Sequence, residues 1–422
     1  MKRIFLTLSL LYIATIIISS ALYGQSYQTF SSELDQVTKR AKWRLGPFRI
    51  VPAINFSNIG YDDNVYYQRQ EEAPVSDYTG TVSLPVKVYV LFRNWLILSF
   101  TETPSYMFYF KEKRERALNN SFSPAFKLLF LNRFVISGNY SYGQQRRRAS
   151  SEFDVRADEL VKGYGGRIFY ETARGTSFGI SGSVSSISYE DITLPGQEIG
   201  LSRSLNRKER NANFEFYYRI FSESSFFITC GYTEYSFAFS ESQWRNAQSY
   251  QIYSGIRFPL LRTVRGTLSL GYKTLMPETG DRKGFSGIVG NTGLDFRIWR
   301  FGFRINYTRD TQFSYYESNV YFIEDLYGGG LSFYLTRFLR VDYNYSYGKS
   351  TYPEPMPLRM PDGSVVDILR EDIYKDQSVG FVFRIIRNTG VGIMVHFWER
   401  ESNYFWENRA RTFVGGYVTY EF

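Results

Sequence analysis

Cysteine and histidine are scarce in this chain, which has one residue of each type, Cys230 and His396. A single cysteine excludes an intramolecular disulfide. A histidine that acts as a general base needs a positioned partner within hydrogen-bond reach, and no serine or carboxylate motif in the sequence marks such a partner. The sequence therefore predicts no catalytic residue, no metal site and no cofactor.

Long hydrophobic runs are also lacking, because only residues 4–18 form a continuous apolar stretch. That stretch is shorter than the roughly 20 residues a helix needs to span a bilayer. The cations Lys2 and Arg3 precede it, and the small residues Ala21 and Gly24 follow it. This order is typical of a secretory signal peptide. We predict that residues 1–24 are this signal and that cleavage releases the rest.

Aromatic residues, by contrast, make up 19% of the chain, and they recur at every second position in many segments. In residues 48–57, the apolar set Phe48, Ile50, Pro52, Ile54 and Phe56 alternates with a second, mixed set, Arg49, Val51, Ala53, Asn55 and Ser57. Period-2 alternation predicts strands with two different faces. A membrane barrel averages lipid-facing apolar and lumen-facing polar residues, so the mean hydropathy of -0.30 is compatible with a bilayer.

The alternation divides the chain into eighteen candidate strands, with short and long connections in regular order. We predict an all-β fold, a transmembrane antiparallel up-and-down β-barrel of about 18 strands over residues 47–422, with both termini on the periplasmic side of a bacterial outer membrane. The predicted strands are 47–58, 78–92, 95–110, 119–131, 133–144, 158–171, 176–190, 209–221, 225–239, 247–260, 265–275, 285–298, 301–311, 319–335, 338–348, 372–386, 391–400 and 410–422.

A soluble β-sandwich is the structural alternative. Most predicted strands have 11 to 17 residues, whereas strands of soluble proteins usually have about five or six. The last strand ends in Tyr420 and the C-terminal Phe422, and it resembles the insertion signal of bacterial outer-membrane barrels. This resemblance implies outer-membrane lipid, lipopolysaccharide and the barrel-assembly machinery as partners, and no nucleic acid.

Residues 25–46 differ from the barrel because their apolar residues recur at helical spacing. Ser32 with Asp35 resembles a capping box, and Leu34, Val37, Ala41 and Leu45 follow the helical period. Two interpretations remain open: a short helix that plugs the pore or rests at its periplasmic mouth, and a frayed periplasmic tail.

Strand parity assigns a set of charged side chains to the lumen of the barrel. They give the wall a net positive charge, which indicates either weak selectivity for small anionic solutes or ion pairs that keep the lumen wet. The pore-lining residues of this prediction are Lys87, Lys127, Arg167, Glu215, Arg219, Arg257, Lys273, Asp295, Arg297, Arg304, Arg340 and Asp342.

Parity also assigns aromatic rings to the lumen. Such rings either stack on a saccharide or pack against an infolded loop. They are Tyr89, Tyr109, Phe169, Tyr189, Tyr217, Phe227, Tyr235 and Trp398.

Two loop clusters carry weaker signals. Gly60, Tyr61, Asp62, Asp63 and Asn64 offer oxygen ligands for a hard cation, although without the spacing of an EF-hand loop. The run of arginines at 146–148 could meet lipopolysaccharide phosphates. A solvated charge cluster is the alternative for both.

The first strand and its loop resemble those of the putative β-barrel porin 2 family. The resemblance rests on Pro52, Ile54 and Phe56 followed by the segment 60–66, and on a second segment at 307–315. It implies a bacterial outer-membrane barrel that is often associated with exopolysaccharide production or export. The sequence thus predicts a passive, weakly anion-biased porin-like channel. A closed structural or adhesion barrel that binds a surface polymer or partner through its extracellular loops is the alternative.

Overall fold

The structure is a computed structural model that describes residues 29–152, 155–194, 197–221, 224–258, 264–386 and 388–421. The predicted signal peptide, and Phe422 of the predicted insertion signal, lie outside the described residues. Within the described ranges, no helix is both long and apolar enough to cross a membrane.

Eighteen antiparallel strands form one closed barrel, which confirms the predicted fold class and strand number. Each strand pairs with the next along the chain, and the first pairs with the last, for example Ile54 with Tyr420. The strands are β1 (Phe48–Asp62), β2 (Asp77–Ser83 and Val86–Phe92), β3 (Leu96–Glu102 and Ser105–Tyr109), β4 (Ala117–Phe130), β5 (Phe134–Arg148), β6 (Arg156–Glu171), β7 (Ser177–Tyr189), β8 (Arg207–Arg219), β9 (Ser225–Phe237), β10 (Ala247–Phe258), β11 (Val264–Pro277), β12 (Phe285–Ile298), β13 (Phe301–Phe313), β14 (Tyr321–Tyr334), β15 (Leu339–Thr351), β16 (Glu371–Ile386), β17 (Thr389–Ser402) and β18 (Arg409–Glu421).

Prolines interrupt β2 and β3, which the sequence predicts as continuous strands. Pro85 and Pro104 have no backbone N–H to give to a neighbouring strand. Their carbonyl groups still accept, Pro85 O from Ala53 N at 2.9 Å and Pro104 O from Leu84 N at 3.0 Å. The wall therefore continues past each break, and both halves of each strand stay in the same sheet.

The two ends of the barrel differ in their connections. One end, here the short-turn end, has tight turns in which Arg93, Asn132 and Trp299 adopt positive φ angles of 48°, 55° and 51°. Left-handed residues give a two-residue turn the twist that its flanking strands need. The opposite, long-loop end carries the longer connections, including 63–76, 149–155, 314–320 and 352–370.

Alternate residues of each strand face opposite sides of the wall. On β8 to β10 the register neighbours Phe214, Cys230 and Ile252 are exposed on the outer face. Tyr217 and Phe227, on the other face, are buried inside the barrel. The period of two and the closure of the sheet therefore create an apolar exterior and a separate interior.

A helix precedes the barrel, α1 (Phe30–Arg40). Its N-cap is Thr29, whose side-chain oxygen accepts from Ser32 N at 3.3 Å. The predicted capping box at Ser32 and Asp35 is therefore wrong, because the helix begins earlier. At its end, the Arg44 guanidinium donates to Ala41 O and Thr38 O at 3.0 and 2.9 Å, which satisfies terminal carbonyl groups that have no helical partner.

Shorter elements complete the chain. A strand Trp43–Leu45 pairs back on the start of β1, so Leu45 is exposed and does not belong to the helix. The other short elements in the described ranges are a five-residue α-helix (Leu201–Leu205), four 3₁₀ turns (Gln70–Glu72, Lys113–Glu115, Ser240–Arg245 and Phe405–Glu407), and two small hairpins (Ile192–Leu194 with Gln197–Ile199, and Met356–Arg359 with Val365–Ile368).

Candidate functional site

The barrel interior is the candidate site, and helix α1 occupies part of it. Phe30 is only 1% exposed, and it packs with Ile97, Phe169, Tyr217 and Phe227 on the inner face of the wall. Glu33, one turn further along α1, forms an ion pair with Lys127 of β4 at 2.5 Å. The helix therefore lies against the inner wall formed by β3 to β9.

Five cations of the predicted pore lining are paired with carboxylates. Besides the Lys127 pair with Glu33, Arg304 meets Asp295 at 3.0 Å and Arg340 meets Asp342 at 2.6 Å. Lys273 pairs with Asp310 at 2.6 Å, and Arg167 pairs with Glu215. Desolvated charges in a narrow space are stable only when they are paired and hydrogen-bonded. Most of the positive wall is therefore locally neutral.

Four other cations of the predicted lining have no ion pair among the described residues: Lys87, Arg219, Arg257 and Arg297. Arg257 is buried, and its guanidinium carbon lies 5.2 Å from the ring centroid of Tyr217 and 5.3 Å from that of Phe227. Its Nη1 has no hydrogen-bond partner within the described part of the chain. The two rings therefore contribute to the stabilisation of this cation, which has no carboxylate partner among the described residues.

At the long-loop end, the connection between β5 and β6 crosses the interior. This loop, 149–155, of which residues 149–152 and 155 are described, carries Glu152, which accepts from the Ser314 hydroxyl at 2.7 Å and from Tyr315 N at 2.8 Å. Ser314 and Tyr315 belong to the connection between β13 and β14, eight strands further around an eighteen-stranded ring. Glu152 therefore contacts a connection that begins almost on the opposite side of the ring.

A second anchor holds the 149–155 loop on the far side. The carbonyl oxygen of Ser151 accepts from Arg400 Nη1 at 3.1 Å and from the Tyr374 hydroxyl at 3.5 Å. Arg400 is fully buried and also pairs with Glu407 at 2.7 Å. The loop thus contacts β16 and β17 as well as the β13–β14 connection, and it narrows the interior at this end.

Burial changes the acid–base properties of the groups around this loop. Desolvation raises the pKa of Glu152, although the hydrogen bonds from Ser314 and Tyr315 and the nearby Arg370 oppose the rise. Burial also lowers the pKa of Arg245 to about 10, and its Nη2 donates to Tyr315 O at 2.8 Å. The loop is therefore anchored through groups with little access to water.

A buried ion pair underlies the longest connection. Arg370 and Asp372 are both completely buried, and they meet at 2.8 Å. The rings of Tyr316, Tyr352 and Tyr404 lie 5.0, 5.2 and 5.5 Å from the guanidinium carbon. This cluster links the 314–320 and 352–370 connections to the 403–408 connection, so these three connections pack against one another at the long-loop end.

The Gly60–Asn64 motif joins the first strand to the last. Asp62 accepts from Arg411 at 2.8 and 2.7 Å, and Asn64 donates to Ala410 O at 2.8 Å. A Cβ at Gly60 would lie 2.1 Å from the carbonyl oxygen of Val414, so only glycine fits there. The motif closes the barrel, and the Asp62 carboxylate is engaged by an arginine instead of a cation site. Tyr61 projects outward, and Asp63 accepts from Thr412 N at 2.7 Å.

The aromatic residues assigned to the lumen are mostly packed, not exposed to an open path. Tyr217 has ring neighbours in Phe169 and Phe227, each with centroids 6.0 Å away. Trp398 contacts Tyr67 at 4.8 Å from ring centroid to ring centroid. Helix α1 covers the first group and the loop 63–76 covers the second, which favours the packing interpretation of these rings.

The sequence missed partners that lie far away along the chain. His396 Nε2 lies 2.8 Å from Asp376 Oδ2, although no motif connects the two residues. Arginines at 146–148 are also engaged internally: Arg146 pairs with Asp158 and Arg147 with Glu159, at 2.9 and 2.6 Å. Arg148 lies over the rings of Tyr67 and Trp398. These internal contacts do not support the hypothesis that the arginines at 146–148 bind external phosphates.

Comparison with known proteins gives a family and distant structural neighbours. The family model described as "Putative beta-barrel porin 2" matches residues 41–422. Among curated proteins, none matches this chain.

Solved structures with similar folds include two siderophore receptors named PirA. The one from Acinetobacter baumannii has a TM-score of 0.44 and 7% identity over 88% of this chain and 80% of its own. The one from Pseudomonas aeruginosa has a TM-score of 0.46 and 8% identity over 90% of this chain and 81% of its own. The FrpB iron transporter of Neisseria meningitidis has a TM-score of 0.46 and 9% identity over 87% of this chain and 63% of its own.

Proposed function

Because this chain belongs to the putative beta-barrel porin 2 family, we propose that it is a passive channel for small solutes in the bacterial outer membrane. The carrying observation is a closed wall of eighteen strands with charged side chains on its inner face. Barrels of about this strand number enclose an aqueous space, whereas eight-stranded barrels are filled by their own side chains.

The proposed orientation places both chain ends and the short turns in the periplasm, with the long loops outside the cell. An even number of strands brings both ends to the same side. Short periplasmic turns and longer extracellular loops are typical of outer-membrane barrels. On this orientation, helix α1 narrows the periplasmic side of the channel and the 149–155 loop narrows the extracellular side.

The proposed channel also has a weak preference for anions. Ion pairs neutralise five of the predicted lining cations, so the remaining bias comes from Lys87, Arg219, Arg257 and Arg297. Arg257 is the strongest candidate because it is buried beside aromatic rings and has no ion pair among the described residues. Fixed charge beside a narrow path selects ions of the opposite sign. We assign no catalytic role to His396.

Conductance of the refolded protein in a planar bilayer tests both parts. Steady single-channel currents would support the channel. Under a salt gradient, a reversal potential shifted from zero toward the equilibrium potential of the anion would support the preference for anions. Arg257→Gln should move the reversal potential toward zero. Arg309→Gln is the matched control, because Arg309 faces outward and pairs with Asp325 at 2.8 Å. Equal shifts in both variants would contradict the assignment of Arg257.

We also propose a link to exopolysaccharide production or export, which rests on the family resemblance. Cells that lack the chain should then secrete less polymer, and the wild-type gene should restore secretion. The packed state of the interior rings argues for an accessory role instead of a lined saccharide path. Unchanged polymer secretion in cells without the chain would remove this part of the proposal.

A closed barrel that binds a surface polymer or partner is the second candidate. The observation that favours it is the hairpin Met356–Arg359 with Val365–Ile368, near which Val365, Val366 and Leu369 are exposed. Exposed apolar side chains in a loop are a common feature of interaction surfaces. Silent bilayers from well-folded protein, together with lost cell-surface binding after removal of residues 356–368, would favour this candidate over the channel.

A further inference from the structure

The outer face of β6 to β9 has a shallow groove with a floor of small residues. Gly166, Gly182 and Ala212 are register neighbours on three successive strands. The rings of Tyr164 and Tyr232 stand at the two sides, and the space between them has a volume of about 330 Å³. A cleft with a glycine and alanine floor and aromatic sides suits a flexible apolar chain.

Cations lie next to this groove, on the side of the long loops. Val184, in the middle of the groove, has Arg210 as its neighbour on β8. Ser186, one step closer to the long-loop end, lies between Lys162 and Lys208. All three cations are exposed on the outer face. Toward the long-loop end, the row that contains the groove floor and Tyr232 is followed by the row of Tyr164 and Arg210, and then by the row of Lys162 and Lys208.

Charge balance separates this surface from other parts of the outer face. Arg210 pairs with Glu234 at 2.6 Å, but no carboxylate in the described part of the chain pairs with Lys162 or Lys208. On the other side of the ring, Lys349 pairs with Glu371 at 2.8 Å and Lys375 with Glu401 at 2.5 Å. Of these two surfaces, the one on β6 to β9 therefore has an excess of positive charge, and the one around Lys349 and Lys375 does not.

The depth of the two tyrosines and the three cations in the bilayer indicates which kind of molecule they contact. Tyrosines on the outer face of a barrel mark the interface between hydrocarbon and headgroups. Arg210, level with Tyr164, and the two lysines one row beyond it therefore lie at headgroup depth, where cations bind phosphate by charge-assisted hydrogen bonds. On the orientation proposed above, this depth is the extracellular leaflet. A lipid with phosphates next to several acyl chains can meet both the cations and the groove.

We propose that the outer face of β6 to β9 is a binding site for a phosphorylated, multiply acylated outer-leaflet lipid of the lipid A class. Lys162, Lys208 and Arg210 bind its phosphates. The groove floored by Gly166, Gly182 and Ala212 holds one of its acyl chains. The site rests on the proposed orientation but not on conduction, because none of these residues faces the interior.

Native mass spectrometry of the folded full-length mature protein in detergent tests the site, with bis-phosphorylated lipid A as the probe. The wild type should retain one lipid A molecule. The triple variant Lys162→Gln, Lys208→Gln, Arg210→Gln should bind it at least about tenfold more weakly, because it loses several charge-assisted contacts. The control variant Lys349→Gln, Lys375→Gln should bind like the wild type. Retained affinity in the triple variant would overturn the proposal.

Two further comparisons test the chemistry of the lipid and the groove. Lipid A without phosphates, and phosphatidylglycerol, should bind more weakly than the probe; equal binding of either would overturn the assignment. Gly182→Leu should fill the groove and weaken binding while the barrel stays folded, because a Cβ at Gly182 meets only Asn211 O at 3.6 Å. Wild-type binding by this variant would remove the groove from the site.

These results are independent of the channel proposal. The triple variant should keep the single-channel conductance of the wild type, whatever that value is, and its heat-modifiable migration shows that the barrel is intact. A barrel that is silent in a planar bilayer but binds lipid A through these three cations would reject the channel and keep the lipid site.

Discussion

The two ends of the barrel interior are closed in different ways. Helix α1 is held at the short-turn end mainly by apolar packing, with Phe30 inserted among rings of the wall and a single ion pair from Glu33. The 149–155 loop is held at the long-loop end by hydrogen bonds from Ser314, Tyr315 and Arg400. Hydrophobic contacts are non-directional, whereas buried hydrogen bonds depend on geometry and protonation. The two closures should therefore respond to different perturbations.

The largest effect is expected at the helix. Phe30→Ala should weaken docking of α1 by about 3 kcal/mol, the usual cost of removing a buried aromatic side chain. We expect a clear increase in single-channel conductance, together with faster hydrogen exchange in α1. Asp35→Ala is the control, because the Asp35 side chain is 73% exposed and, among the described residues, pairs only with Lys39, at 3.9 Å. Unchanged conductance in Phe30→Ala would mean that α1 does not obstruct the path.

The next effect is expected at the loop. Glu152→Ala leaves the Ser314 hydroxyl and Tyr315 N without their acceptor, which should weaken loop docking by about 1 to 3 kcal/mol. Bilayer recordings should show more frequent or longer open intervals. Glu241→Ala provides a control with an exposed carboxylate in another long connection. A wild-type opening pattern in Glu152→Ala would show that the 149–155 loop is not the extracellular constriction.

pH should affect the loop more than the helix, because the helix is held mainly by apolar contacts. Because burial raises the pKa of Glu152 in the docked loop, the docked state binds its proton more tightly than the undocked state. Docking is then strongest below the ordinary carboxyl pKa and weakens as pH rises through the raised value. Open probability should increase over this window, and the nearby Arg370 limits the size of the change.

Glu152→Gln sharpens this comparison. An amide resembles the protonated carboxyl and cannot titrate, so the variant should keep the low open probability of acidic pH at every pH. A pH response of the same size in Glu152→Gln would assign the titration to another group around the loop.

The smallest effect is expected from the ion pair of the helix. Lys127→Gln should weaken docking of α1 by only about 0.5 kcal/mol, since partly exposed pairs contribute little and are screened by salt. The variant should differ from the wild type at low salt and approach it at high salt, as measured by hydrogen exchange of α1. An effect as large as that of Phe30→Ala would reverse our ranking of apolar and ionic docking.

The wall was predictable because its signal is local. Alternation places the predicted strand 285–298 at the observed β12 (Phe285–Ile298), and the predicted strand 301–311 ends two residues before β13 does. The breaks at Pro85 and Pro104 were missed, because alternation continues through them and only the lost N–H groups interrupt the ladder.

The interior was less predictable because its contacts connect distant residues. Lys127 meets Glu33, 94 residues away, and Arg411 meets Asp62, 349 residues away. Parity can assign a side chain to the inner face, but it does not say which helix or loop will fold over it. The prediction of a net positive wall therefore did not include the carboxylate of Glu33. The prediction of a cation-binding site at 60–64 did not include Arg411.

The two ends of the barrel chain lie side by side. The first strand pairs with the last, and Lys42 Nζ donates to Glu421 O at 3.1 Å. Neighbouring termini are the condition under which circular permutation is tolerated. A circularly permuted chain, opened in an exposed loop and joined between its present ends, should build the same ring of strands. Phe422 would then lie in the middle of the sequence and no longer at the C-terminus. Membrane insertion of this permuted chain would then test the predicted insertion signal separately from the closure of the barrel.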